Sequence, residues 1–79
     1  MIESLELGDV VVFKDGDEGV INQAVQGYDI DRGVNYIDYC LDVGFYIRYT
    51  PSRPEDNRFI EDQIAKVIKH DQTRGNKQG

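Results

Sequence analysis

Between residues 9 and 50 the chain runs in short β-type segments separated by breaks rich in glycine and aspartate. Val10-Val11-Val12-Phe13-Lys14 is built from residues that suit a pleated surface and is bounded by Gly8 and Asp15-Gly16-Asp17. It predicts a first strand and a tight turn. Glu18 to Val25 predicts a second strand, ended by Gly27 and the polar turn Asp29-Ile30-Asp31-Arg32-Gly33. Val34 to Val43 has the clearest period of two. Ile37, Tyr39, Leu41 and Val43 alternate with Tyr36, Asp38, Cys40 and Asp42, which places the first set toward a core and the second toward water. After Gly44, Phe45, Ile47 and Tyr49 alternate with Tyr46, Arg48 and Thr50, a fourth strand and a hairpin partner for the third.

Pro51 and Pro54 keep residues 51–57 out of a central ladder, so this stretch is read as a loop. Phe59 to Ile64 suits one helical turn or a short strand. Residues 65–69 are read as a last strand, although Ile60, Ile64, Val67 and Ile68 also fall on one face of a helix. Asp71 to Gly79 contains no apolar residue and is expected to be a disordered polar tail. The expectation is a single all-β domain over residues 1–70, five short strands with a 3₁₀ or helical turn near 60–64, and a tail over 71–79.

With 79 residues the chain has room for one domain and one modest core. It contains no apolar run long enough to span a bilayer, so no membrane partner is expected. Met1-Ile2-Glu3-Ser4 has neither a positive residue nor an apolar run, so no signal peptide is expected. The lone Cys40 excludes an internal disulfide and, with the lone His70, a zinc site; a reducing cytoplasm is the simplest compartment. The net charge is −6, unevenly spread. Residues 1–31 hold eight carboxylates against Lys14 alone, whereas residues 32–79 hold eight bases and seven carboxylates. An acidic front half repels phosphate and disfavours general nucleic-acid binding.

Gly8-Asp9-Val10-Val11-Val12-Phe13-Lys14-Asp15-Gly16-Asp17-Glu18-Gly19-Val20-Ile21 reads G-D-x-V-x-F-x-x-G-x-x-G-x-I. This resembles the opening of small SH3-like barrels, including KOW-type domains. Residues 59–67 resemble their ending, a strand, a 3₁₀ turn and a short closing strand. The resemblance implies a five-stranded SH3-like barrel. The turn Asp15-Gly16-Asp17-Glu18 is acidic where nucleic-acid-holding KOW domains carry bases, and the chain lacks the tryptophan of a signalling SH3 groove. A short protein of this kind also resembles bacteriophage- or prophage-encoded proteins.

Candidate chemistry is sparse. Counting from Asp15 or Asp29 places Gly19 or Gly33 at the fifth position of a calcium loop, where Asp or Asn is needed, so no metal is expected. No catalytic triad spacing, phosphate-cradling glycine loop or ligand cluster stands out; a Cys40–His70 pair is weaker than a packed cysteine, and no enzyme activity or cofactor is expected. Tyrosine is abundant (Tyr28, Tyr36, Tyr39, Tyr46, Tyr49) and gives large contact area at low entropic cost. A protein-binding surface is therefore expected at Asp15, Asp17, Glu18, Asp29, Asp31, Tyr36 and Tyr46, with a basic protein as partner. The alternatives are a basic face for nucleic acid made by Arg48, Arg53, Arg58, Lys66 and Lys69, or a self-assembling structural component.

Overall fold

The computed structural model describes residues 2–70; the tail expected over 71–79 lies outside the described residues. Five strands form one antiparallel sheet: β1 Val10–Phe13, β2 Glu18–Asp29, β3 Val34–Leu41, β4 Tyr46–Tyr49 and β5 Ile64–Ile68, in the order β4-β3-β2-β1-β5. A 3₁₀ turn, Pro54–Asn57, runs into a single helical turn, α1 Arg58–Glu61, before β5. Another 3₁₀ turn covers Ile2–Ser4. No helix among the described residues is long and apolar enough to cross a membrane.

β2 is shared between two halves of the sheet. Its start, Glu18–Val20, pairs with β1, and its remainder, Ile21–Asp29, pairs with β3, with a register irregularity between Ile21 and Gln23. Such an irregularity bends a strand and strengthens its twist. Every strand contributes to one buried cluster: Val11 from β1, Ile21 from β2, Tyr39 and Leu41 from β3, Ile47 from β4 and Ile64 from β5, closed by Ile2 and Leu5. The core thus lies against one face of the sheet.

The period-two reading places Tyr39, Leu41 and Ile47 correctly in that cluster, with Ile37 and Tyr49 packed against it. It misplaces Val43 and Phe45, which are 52% and 49% exposed. The reason is the turn. The Leu41 amide donates to the Phe45 carbonyl at 2.8 Å and the Gly44 amide to the Leu41 carbonyl at 3.1 Å, so the chain leaves the ladder before Val43 and re-enters it after Phe45. The second strand, in turn, does not stop near Gly27. β2 continues to Asp29, with Gly27 opposite Tyr36 and Tyr28 opposite Asn35. A glycine that normally weakens a strand is here the place where a ring crosses the backbone.

Candidate functional site

Three connections converge on one groove. The β1–β2 turn is closed by the Phe13 amide donating to the Asp17 carbonyl (2.7 Å) and the Gly16 amide donating to the Phe13 carbonyl (3.0 Å). The Asp15 carboxylate accepts from the Asp17 amide at 3.0 Å. The Lys14 amide donates to the Gln63 carbonyl at 2.8 Å and ties this turn to the α1–β5 junction. The β3–β4 turn brings Phe45 alongside, its ring edge-on to Phe13 at 6.3 Å and 81°. Between the three lies a groove of about 490 Å³. Phe13, Phe45, Tyr46 and Ile60 give it an apolar lining, and Asp15, Asp17 and Asp62 set three carboxylates on it against the single ammonium of Lys14. Its volume falls in the range of small-ligand and anchor pockets, about 300–1,000 Å³.

On the outer face of β2, β3 and β4, Tyr36, Asp38 and Cys40 alternate outward and meet Arg48 and Tyr46 across the strands. Arg48 forks onto Asp38 with Nε–Oδ1 2.8 Å and Nη2–Oδ2 2.9 Å. The same guanidinium lies 3.7 Å over the Tyr36 ring and 5.8 Å from that of Tyr46. The hydrogen bonds that Arg48 donates to the Asp38 carboxylate raise its pKa further above its already high ordinary value. Tyr36 lies flat across Gly27: a Cβ at that glycine would come within 2.4 Å of Tyr36 Cζ. Gly27→Ala is therefore expected to push the ring off the strand and to cost about 1–2 kcal/mol, in the range of overpacking effects. Urea midpoints test this, and the penalty should vanish when Tyr36 is also changed to alanine, a coupling that additive sites lack.

A third cluster surrounds Asp9, which is fully buried. Its carboxylate accepts from the Lys69 ammonium (2.5 Å), the Glu6 amide (2.9 Å) and the His70 amide (3.2 Å), and His70 Nδ1 lies 3.2 Å away. Lys69 also donates to the Ser4 carbonyl and sits 3.4 Å from Glu6 Oε1. Gly8 makes this possible, since its φ is +92° and an added Cβ would lie 3.2 Å from the His70 ring. Glu6, Asp9 and His70 offer ligand atoms within 4.8 Å of one another, but the Lys69 ammonium already occupies the cation position between the two carboxylates. The arrangement fastens the segment before β1 to the end of β5.

The structure thus distributes the residues expected to bind. Asp15, Asp17 and Tyr46 meet at the groove. Glu18 begins β2, opposite Val12, on the outer face of the β1 half of the sheet. Asp29 closes the β2–β3 turn, its carboxylate accepting from the Arg32 amide at 3.2 Å and its carbonyl from the Gly33 amide at 2.7 Å. Asp31 is exposed on that turn, and Tyr36 is half-buried under Arg48. Of the five cations considered for nucleic acid, Arg48 is held by Asp38, Arg53 lies 3.4 Å from Glu55 and 3.3 Å from Asp56, and Lys69 is held by Asp9. Arg58 and Lys66 are exposed, on α1 and β5. Cys40 faces Tyr46 across the β3–β4 ladder, while His70 is engaged at Asp9. Sequence reasoning missed Phe45, Ile60 and Asp62 as groove residues. Phe45 beside a turn glycine was the available signal, because a large ring next to a turn seldom reaches a thin core.

No family model, curated protein or solved structure matches this chain.

Proposed function

We propose that the chain is a non-enzymatic SH3-like binding module whose groove takes a segment of another protein, one large apolar side chain flanked by lysine or arginine. The observation that carries this reading is the groove itself, lined together by the apolar side chains of Phe13, Phe45 and Ile60 and the carboxylates of Asp15, Asp17 and Asp62. An SH3-like architecture is supported by the strand order, by β2 being shared between the two halves of the sheet, and by the helical turn that precedes β5. The apolar lining supplies residence time by desolvating an aromatic or aliphatic anchor. The carboxylates steer a cationic segment in and reject an acidic one, more through the association rate than through final affinity. The nucleic-acid reading is the weaker of the two, because three of its five cations already neutralise carboxylates of the same chain.

Short synthetic peptides carrying a central leucine or phenylalanine between lysine pairs test the reading. Neutralising the rim (Asp15→Asn, Asp17→Asn, Asp62→Asn) is expected to weaken binding about tenfold at low salt, mainly by slowing association. Phe45→Ala is expected to act instead on dissociation. Equal binding by the neutralised variant, or equal binding of an acidic control peptide, contradicts the reading.

A further inference from the structure

The outer face of the other half of the sheet carries a second surface, remote in character from the groove. The ladders place Val20 opposite Val10 and Val10 opposite Ile68, so one rank across β2, β1 and β5 is wholly apolar. The neighbouring rank, Glu18–Val12–Lys66, has a carboxylate at the β2 end, an ammonium at the β5 end and an apolar centre. These six share one face, because residues directly opposite in an antiparallel ladder point the same way. Val11 and Gly19, one position along, are buried on the other face. Val20 and Ile68 are 36% and 43% exposed, and Glu18 and Lys66 are exposed as well. Glu18 and Lys66 stand two strand spacings apart, about 10 Å, on either side of Val12.

That pattern complements itself. Consider a second copy laid face to face on the first, related by a two-fold axis running along β1. The operation exchanges the β2 side with the β5 side. Glu18 of each copy then faces Lys66 of the other, Val20 faces Ile68, and Val10 and Val12 meet their own equivalents on the axis. An axis across the strands would instead set Glu18 against Val20 and Lys66 against Ile68, burying each charge on an apolar side chain without a partner, which is unfavourable. An isologous contact needs such a self-complementary patch. We infer that this chain pairs with a second copy of itself through the outer face of β2, β1 and β5, with reciprocal Glu18–Lys66 contacts on both sides of a valine and isoleucine centre. The pairing leaves the groove between the β1–β2 turn, the β3–β4 turn and α1 to a different partner.

Sedimentation equilibrium of the full chain over a concentration series is the test, with charge reversals as its discriminating arm. Wild type is expected to shift from monomer toward dimer as concentration rises, with a midpoint below about 1 mM. Glu18→Lys alone and Lys66→Glu alone each set two like-charge pairs face to face and should weaken association about tenfold or more. Mixed together, the two single variants become complementary at both contacts and should form a heterodimer that neither forms with itself. The double variant, Glu18→Lys with Lys66→Glu, should recover wild-type association. Circular dichroism melts of these surface variants separate lost pairing from lost fold. A wild type that stays monomeric to about 1 mM overturns the inference. So does a dimer that is indifferent to the single reversals, or two folded single variants that fail to pair when mixed.

Discussion

Replacing Asp9 with alanine is expected to cost about 2–4 kcal/mol, less than for a fully buried ion pair, because its partners Lys69 and His70 keep 23% and 30% of their side-chain exposure. The carboxylate is fully buried and gathers Lys69, His70 and the Glu6 amide. Its removal takes the shared acceptor away from the Lys69 ammonium and from the Glu6 and His70 amides, and loosens the end of β5 from the segment before β1. A chain of this length has a total stability of about 4–12 kcal/mol, so Asp9→Ala should remove a large fraction of it. Asp9→Asn keeps the shape and an acceptor for the Glu6 amide, and should cost less. Urea melts of both variants check the order.

The same cluster sets two pH limits. Burial alone would raise the Asp9 pKa, but the hydrogen bonds from Lys69, His70 and the Glu6 amide outweigh it and hold the carboxyl below the usual carboxylate range. A depressed folded pKa stabilises the fold above the unfolded value, about 3.9, and that stability disappears as pH falls through the lower folded value. Burial disfavours the charged Lys69, yet the hydrogen bonds and charges of Asp9 and Glu6 prevail and raise its pKa. Its contribution is complete below the unfolded value, about 10.4, and is lost as pH rises through the higher folded one. The share of stability due to the titration of Asp9 and Lys69 is therefore expected to be complete between those limits and to fall outside them. In Asp9→Asn the acid limb due to this group should disappear.

Asn57→Ala is the second large effect, about 2–4 kcal/mol. Asn57 and Thr50 are each 5% exposed. The Thr50 amide donates to Asn57 Oδ1 at 2.9 Å, and Asn57 Nδ2 donates to the Thr50 carbonyl at 3.1 Å. The side chain thereby completes the backbone of Thr50, the residue following β4. Alanine leaves one buried donor and one buried acceptor unmet, at about 1–3 kcal/mol each before relaxation. Asn57→Asp is the sharper variant. It can still accept from the Thr50 amide, but its second oxygen faces a carbonyl lone pair. Its deficit should match or exceed that of alanine at neutral pH and shrink as pH falls toward about 4, where a protonated carboxyl can donate.

These two residues mark the boundary of what period and propensity can read. Val10–Phe13 was legible from its β-branched and aromatic residues, and Val34–Leu41 and Tyr46–Tyr49 from their period of two, because one face had to be apolar. The end of a run was not, and that is why Val43 and Phe45 read as core while they sit at a turn. Gly27 read as a break because its composition signals one, whereas the ring of Tyr36 needs its bare backbone. Asp9 stood in a recognisable Gly8-Asp9 pair, but its partners Lys69 and His70 lie some sixty residues away in sequence. Asn57 carried no signal beyond a polar loop. The groove was half legible. Asp15, Asp17 and Tyr46 were visible as turn acids and an outward tyrosine, while Ile60 and Asp62 reach it only through the packing of α1 beside the β1–β2 turn.

Binding of a cationic, apolar-anchored segment in the groove is tested by a ¹⁵N-correlated NMR titration of the full chain with the lysine-flanked leucine peptide. The largest shifts are expected on the amides of Phe13, Lys14, Asp15, Asp17, Phe45 and Gln63, and they should weaken as salt is raised. Shifts concentrated instead on the outer face of β3 and β4, around Tyr36, Asp38 and Arg48, or no shifts at all, would contradict binding in the groove.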